Sequence, residues 1–418
     1  MTFADLNLNK SLLNALADLG LEEPTAIQRK VFSPIMAGQD VVGLAQTGTG
    51  KTFAYLLPVL RLWKFTKSPF PQIMIVVPTR ELAMQVAEEV TKLTTYQNLV
   101  VLPVYGGTNM KIQKVDVAAG VDVIVGTPGR LVDLMADGVL RTKLIKRLVI
   151  DEVDEMLNLG FRTQLRAIID LLPEKRQNLM FSATMLDEVL ELINEFTDHF
   201  EVIAAAPSGA PLENIEQYAY AVPNFTTKAN LLELLLKEHP EMSKVLVFAG
   251  TKKLADALYE RLAPAFDEES MGIIHSSKSQ NNRFATVEKF QDGTYRFIIA
   301  TDIIARGLDV SSVTHVINFD LPDTAEKYVH RIGRTGRAEE RGVAVSFIRE
   351  EEDREYRAAI EELTGLPIPM RPNPEGLEVS DELISLEVEV EHIPFTDPNA
   401  KRFEPTGPAF HEKKAKNQ

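Results

Sequence analysis

One stretch constrains this chain more than any other: Ala45-Gln46-Thr47-Gly48-Thr49-Gly50-Lys51-Thr52. The apolar run Val41-Val42-Gly43-Leu44 precedes it, and Phe53-Ala54-Tyr55-Leu56-Leu57, which reads as a helix, follows. A buried strand, a glycine-bearing turn and a helix N-terminus together form a site for a polyphosphate, because the turn's N–H groups and the helix dipole face the anion. Lys51 would reach the outer phosphates and the Thr52 hydroxyl would coordinate Mg²⁺. Against the pattern G-x-x-x-x-G-K-[ST], Ala45 stands at the first glycine position. The bland alternative is an ordinary βα loop that happens to contain G-x-G-K-T. A strand before the loop and a helix after it favour nucleotide binding.

The chain's 418 residues are enough for two or three domains, each with its own core. With no cysteine, disulfides and thiolate metal sites are excluded. The longest apolar runs are strand-sized and too short to span a membrane. Met1-Thr2-Phe3-Ala4-Asp5 lacks the basic and apolar regions of a signal peptide, so the expected location is cytoplasmic. The formal net charge of −15 weighs only mildly against nucleic-acid binding, which needs a local basic surface and not a basic total. Much of the acid lies late: residues 350–362 hold seven acidic against two basic, and residues 376–418 nine against five.

From residue 41 to residue 183, short apolar runs alternate with amphipathic helical patterns. Strand candidates are 41–45, 73–77, 100–105, 122–125, 148–151 and 179–182, with helical patterns at 80–93, 130–137 and 160–172. Such alternation implies a parallel sheet with helices on both faces and ligands at the carboxyl ends of its strands. The stretch 204–211, Ala- and Pro-rich, reads as a linker. A second series follows, with strands at 216–222, 245–249, 272–275, 297–301, 313–319 and 342–348 and helices at 252–262, 280–291 and 324–332. This half has no phosphate loop of its own, which suggests one nucleotide shared between two similar domains. Beyond Gly365, Leu386, Val388 and Val390 alternate with glutamates at a strand-like period of two, fitting one more short strand or an extended tail. The last twenty or so residues carry no apolar period and read as disordered.

Asp151-Glu152-Val153-Asp154 ends the apolar run Leu148-Val149-Ile150. An acidic pair at the carboxyl end of a buried strand suits metal and water: Asp151 to hold Mg²⁺ through water, Glu152 to orient and deprotonate the attacking water. With these motifs in order, the chain resembles the DEAD-box ATP-dependent RNA helicases of superfamily 2. The resemblance runs from Phe3 to about Ile348 and is closest to bacterial RhlE-like members in the spacing of IIHSSKSQ and VLVFAGTK.

The resemblance assigns roles residue by residue. Phe3, with Pro24-Thr25-Ala26-Ile27-Gln28, resembles the Q motif that selects adenine. A glutamine amide offers the donor and acceptor that the base edge requires, and an aromatic ring can stack on the base. Gln46, Thr47, Gly48, Thr49, Gly50, Lys51 and Thr52 match motif I. Pro78-Thr79-Arg80, Gly106-Gly107 and Thr127-Pro128-Gly129-Arg130 resemble elements that contact the RNA backbone; as capped helix starts they also present free N–H groups. Ser182-Ala183-Thr184 resembles motif III, coupling nucleotide state to closure through Asp154. In the second half, Phe248-Ala249-Gly250-Thr251-Lys252 resembles motif IV, and Gln280 and Arg283 its QxxR extension. Residues 300–309 resemble motif V, with Thr301 and Arg306 toward RNA and Gly307 and Asp309 toward nucleotide. His330-Arg331-Ile332-Gly333-Arg334-Thr335-Gly336-Arg337 resembles motif VI, in which Arg334 and Arg337 act as arginine fingers and His330 in coupling.

Three departures from the family pattern stand out. Val153 replaces its alanine and adds two methyls to a packed site. His275-Ser276 stands where His-Gly is usual, and motif VI runs into Ala338-Glu339 where Ala-Gly is usual. The chain also lacks a long basic tail. The expectation is therefore an α/β protein of two tandem RecA-like domains, each a mainly parallel sheet flanked by helices, with a short C-terminal extension. Its divisions are residues 1–206 (Q motif within 1–29), a linker at 207–214, a second domain at 215–366, and a partly disordered acidic tail at 367–418. ATP and Mg²⁺ are the expected cofactors. The expected partner is single-stranded RNA or a short duplex, bound through its backbone, with ribonucleoprotein or RNA-decay assemblies beyond it and no membrane. The rival readings are a DNA-directed superfamily 2 helicase and an RNA clamp that has lost hydrolysis.

Overall fold

A computed structural model describes residues 1–45, 49–185, 187–197, 199–204, 214–302, 313–336 and 341–388. The first half builds one sheet from β1 (Val41–Leu44), β2 (Ile73–Val76), β3 (Val101–Val104), β4 (Val123–Gly126), β5 (Arg147–Ile150), β6 (Gln177–Ser182) and β7 (Glu201–Ala204). All pairs are parallel, in the order β3-β4-β2-β5-β6-β1-β7. The inner strands are apolar at successive positions because helices cover both faces. Alternate side chains feed opposite clusters. Ile73, Ile75, Val123 and Val125 meet α1 (Lys10–Asp18), α2 (Ala26–Met36), α3 (Lys51–Arg61) and α4 (Arg80–Leu93). Met74, Val76 and Ile124 meet α5 (Met110–Ala119), α6 (Pro128–Ala136), α7 (Val153–Asn158), α8 (Arg162–Asp170) and α9 (Asp187–Phe196).

The second half repeats the plan. Its strands are β8 (Ile215–Ala221), β9 (Val245–Phe248), β10 (Met271–Ile274), β11 (Phe297–Ala300), β12 (His315–Asn318), β13 (Gly342–Ile348) and β14 (Met370–Arg371), in the order β10-β11-β9-β12-β13-β8-β14. Counted from its own first strand, this order is the same as that of the first sheet. Helices α10 (Phe225–Glu238) and α11 (Lys252–Leu262) cover one face. Helices α12 (Gln280–Gln291), α13 (Ala325–Ile332) and α14 (Arg354–Thr364) cover the other. No helix among the described residues is long and apolar enough to cross a membrane.

Two edge strands, β7 and β14, lie outside the strand candidates read from the sequence. The period-two stretch near residue 386 is corrected: Ser385–Val388 is a single helical turn. Side-chain capture explains it, since Glu387 accepts from Phe225 N at 2.6 Å and from Ile384 N at 3.0 Å, while Ile384 packs on the core. Residues 389–390 and the remaining tail lie outside the described set. Before that turn the chain straps across the second half. Asn373 donates to Ala221 O, Asn230 to Glu378 O, and Ser380 N to Thr227 Oγ1.

β1 packs tightly on β6. Gly43 pairs with Phe181, whose ring lies over the glycine and meets Tyr55 at 5.2 Å. A Cβ at Gly43 would stand 2.4 Å from that ring. Gly43→Ala is therefore expected to destabilise the first half by ~1–3 kcal/mol through overpacking. A urea titration should show a lower midpoint with an unchanged slope; an unchanged midpoint would mean that Phe181 moves aside freely.

Candidate active site and nucleic-acid interface

Apart from the Q motif, which precedes β1 at the start of α2, every motif read from the first half leaves the carboxyl end of a strand, which brings them together. Gly50 caps α3 with φ 88°, a conformation that suits glycine. A Cβ there would lie 2.5 Å from Gln28 Nε2. Gln28 is buried and ties two segments together: its Oε1 accepts from Thr25 N at 2.9 Å, and its Nε2 donates to Gly50 O at 3.1 Å. Phe3 is 4% exposed inside the core cluster. Thr49, Lys51 and Thr52 follow the loop, while Gln46, Thr47 and Gly48 lie outside the described residues. Lys51 is 7% exposed, and its Nζ is buried with no hydrogen-bond partner.

Three carboxylates face that ammonium. Asp151 follows β5, accepting from Tyr55 Oη at 3.0 Å and from Glu152 N at 2.9 Å. Burial raises its pKa, and Lys51 and the Tyr55 hydroxyl offset part of the rise. Glu152 takes the left-handed conformation (φ 53°), unusual for a residue with a side chain, at the start of α7. Its surroundings push its pKa up to about 7, burial first; Lys51 and Arg334 oppose the rise and Asp151 adds to it. Asp154 accepts at Oδ2 from Ala183 N, Thr184 N and Thr184 Oγ1, each at 3.1 Å. Burial would raise this group too, but His330, Lys51 and Thr184 outweigh it and hold the carboxyl below its ordinary value. Ser182 is buried with no partner on its hydroxyl. Val153 is fully buried in the core cluster, which absorbs its two extra methyls.

The second half closes this pocket. Lys51, Glu152, Asp154, Glu155 and Ala183 from the first half and His330 and Arg334 from the second line a tight cavity of about 10 Å³. Arg337, Arg306, Gly307 and Asp309 lie outside the described residues, as does the Gln280 side chain. Three residues missed by sequence reading complete the arrangement. Tyr55 holds Asp151. Glu81 accepts from Arg283 Nη1 at 2.9 Å, joining the halves through a buried ion pair. Arg331, 2% exposed, lies over the Phe248 ring, binds Asp302 through two nitrogens and donates to Asn318 Oδ1 and Asp320 O. Their types gave no signal, because each partner is remote in the chain.

The residues expected at RNA divide. Thr79 and Thr251 cap α4 and α11, accepting from Leu82 N and Leu254 N, and Thr127 caps α6 ahead of Pro128. Gly129 has open space around it, and Arg80 is partly exposed beside Gly107. Pro78 is buried behind β2. Arg130 is buried, with Nη1 on Gln113 Oε1 and Nη2 on Thr108 O, so it holds the Gly106-Gly107 turn from behind. Arg283 spends one nitrogen on Glu81. A second, open cavity of about 500 Å³ between the halves is lined by Asn158, Gly250, Thr251, Ser276, Thr301 and Lys327, among others.

A family model for the DEAD/DEAH box helicases matches residues 25–193, and one for the helicase conserved C-terminal domain matches residues 227–339. The DEAD-box ATP-dependent RNA helicase CshA of Geobacillus kaustophilus is 41% identical over 348 residues, covering 83% of this chain and 73% of that one. This chain belongs to the DEAD-box helicase family. The RNA helicase CrhR of Synechocystis sp. is 41% identical over 335 residues, with 80% and 67% of the two chains covered. The pair of sheets is that of tandem RecA-like domains. Dbp5 of S. cerevisiae bound to RNA and ADP BeF3 superposes with a TM-score of 0.81 at 28% identity, covering 90% of this chain and 96% of that one. A Dbp5 variant bound to Nup159, Gle1, IP6 and ADP scores 0.63 at 27% identity, with 88% and 96% covered. The two halves of this DEAD-box chain therefore stand together more as they do in the RNA-bound form.

The Glu81–Arg283 pair exists only while the halves meet. Glu81→Ala leaves Arg283 buried and unpaired in that arrangement, a penalty of ~3–5 kcal/mol that a separated form escapes. Since the chain has no cysteine, a pair of introduced thiols can carry dyes on the two halves. Energy transfer should show less closing by RNA and an ATP analogue in Glu81→Ala, with partial recovery in Glu81→Ala/Arg283→Ala. Wild-type closing in the single variant would refute the latch.

Proposed function

We propose that this chain is an ATP-dependent RNA helicase, using ATP binding and hydrolysis between its two domains to bind RNA and open short duplexes or remodel RNA–protein complexes. The observation that carries the reading is the buried, unpartnered Lys51 ammonium, set among Asp151, Glu152 and Asp154 with Arg334 facing it. A buried cation without a partner is costly, and a polyphosphate would supply the missing acceptor. The same residues fit Mg²⁺. The Tyr55 hydroxyl bonds both Asp151 and Thr52, which sets a carboxylate and a hydroxyl side by side, the donors of an ion completed by phosphate oxygens and water. Asp151 and Thr52 would hold it, and when bound it neutralises charge on the β- and γ-phosphate oxygens.

The residues divide the work. Gln28 and Thr25 brace the phosphate loop on the side where adenine would sit. Glu152 takes a proton from the attacking water, and a pKa of about 7 puts it near the working pH of a general base. Arg334, with Arg337, stabilises charge that develops at the transferred phosphoryl group only when the halves meet. Thr184 and Ala183, bonded to Asp154, couple nucleotide state to domain closure, and His330 faces the same carboxylate from the other domain. The division into domains at 1–206 and 215–366, a cytoplasmic location and the RhlE-like affinity rest on sequence alone and form part of the same proposal.

Three measurements test it. Glu152→Gln is expected to lower the RNA-stimulated ATPase kcat by ~10²–10⁴ while RNA binding with an ATP analogue persists. If the wild type turns over no faster than this variant, the chain is a clamp and not a helicase. Arg334→Ala should cost ~10³ or more in kcat with little change in nucleotide affinity. RNA should stimulate the ATPase and DNA of the same sequence should not; equal stimulation would favour the DNA-directed reading.

A further inference from the structure

The opposite edge of the first sheet, where the strands begin, carries a second feature. On a chain of net charge −15, residues 61–70 hold three basic and no acidic residues together with Trp63, Phe65 and Phe70, and residues 141–147 hold four basic and no acidic residues. The fold brings them together. The Phe70 ring lies under both the Arg141 guanidinium (5.4 Å) and the Lys143 ammonium (4.7 Å). Gln72 joins the two loops, donating to Lys64 O at 2.7 Å and accepting from Lys146 Nζ at 3.2 Å. Phe65 is 67% exposed.

Among the described residues, no carboxylate forms an ion pair with Lys64, Lys67, Arg141, Lys143 or Lys146. Of the acids close by in the fold, Asp122 accepts from Val100 N, and Asp40 from Asn178 and Thr197. Two buried donors also point to a missing acceptor. Arg147 Nε and Trp63 Nε1 have no hydrogen-bond partner, and the Arg147 guanidinium is depressed by burial with no carboxylate to offset it. Arg147 opens β5 on the face of the sheet that packs against α3, the helix that runs out into Trp63.

We propose that this edge is a second binding surface for single-stranded RNA, engaging a strand that extends beyond the cleft between the domains. The exposed Phe65 ring among cations that no carboxylate pairs, with the partly buried Phe70 under two of them, matches a surface that stacks a base and neutralises phosphates without reading sequence. An acidic peptide would use the cations but leave Phe65 idle. The inference rests on the RNA-helicase reading and adds a site remote from its cleft, since the motifs there leave the carboxyl ends of the strands.

The test compares the full-length wild type with Lys64→Gln/Lys67→Gln/Arg141→Gln/Lys143→Gln and, separately, Phe65→Ala. Binding of oligouridine of about 8 and about 40 nucleotides is measured over a range of salt with a non-hydrolysable ATP analogue, the shorter being near one site size. The fourfold variant should bind the long strand about tenfold more weakly and lose about 3 from its log–log salt slope. Phe65→Ala should weaken the long strand several-fold with the slope unchanged. Affinity for the short strand, and the ATPase it stimulates, should stay at wild-type values in both. Unchanged long-strand affinity, equal losses at both lengths, or displacement of the long strand by polyglutamate as readily as by RNA would overturn the proposal. If the short strand neither binds the wild type nor stimulates its ATPase, the helicase reading itself fails.

Discussion

The constraint on which the rest of the molecule depends is the unsatisfied charge of Lys51. A buried ammonium with no acceptor costs free energy that a protein ordinarily avoids by pairing or neutralising it. Here the surroundings keep it in place without quenching it. Gly50 permits the left-handed turn that starts α3, Gln28 pins that turn from α2, and Tyr55 draws one oxygen of Asp151 to itself. Asp154 is spent on the Ala183–Thr184 segment. The carboxylates thus face the cation without closing on it, and the site stays receptive to an anion carrying several charges.

The duplicated strand order sharpens the point. At the same end of the second sheet a lysine and an aspartate also meet: Lys228 on α10 and Asp320 just after β12, 2.9 Å apart, with Lys228 over the Phe319 ring. Asp320 also accepts from Gly250 N, and these contacts hold it below its ordinary pKa despite burial. There the charge is already answered, and no glycine loop precedes the lysine. One half keeps its cation available while the other has turned the same pairing into structure, so a two-domain chain offers one nucleotide site. Because His330 and Arg334 reach that site only from the second half, nucleotide binding and domain approach are linked, and any ligand that favours approach is linked to both.

The chain was most legible where function sits on consecutive residues at a strand end. The phosphate loop, Asp151–Asp154 and Ser182–Thr184 fall in such places, and apolar strands flanked by helical periods give them away. What could not be read is what depends on a remote partner. Glu81 and Arg283 are 202 positions apart, and Tyr55 and Asp151 are 96 apart. Arg130 looks like any arginine at a helix start until Gln113 and Thr108 are seen to enclose it. Strand β14 has only two residues, and β7, as long as its neighbour β1, buries one position of four on the edge of its sheet. The alternation at 386–388 misled for a related reason: over four residues, two hydrogen bonds to the Glu387 carboxylate outweigh the pattern.

The strap over the second half has a consequence for synthesis. The first sheet is complete once its last strand, ending at Ala204, has left the ribosome, and it can fold while the rest is still being made. The second sheet cannot do the same. Its edge strand β14 and the segment that closes over α10 come after every other described element of that sheet, so that half must wait, unfinished and apolar, until about residue 388 has emerged. The order of assembly is thereby written into the chain: a nucleotide-receptive half first, then the half that completes its catalytic set.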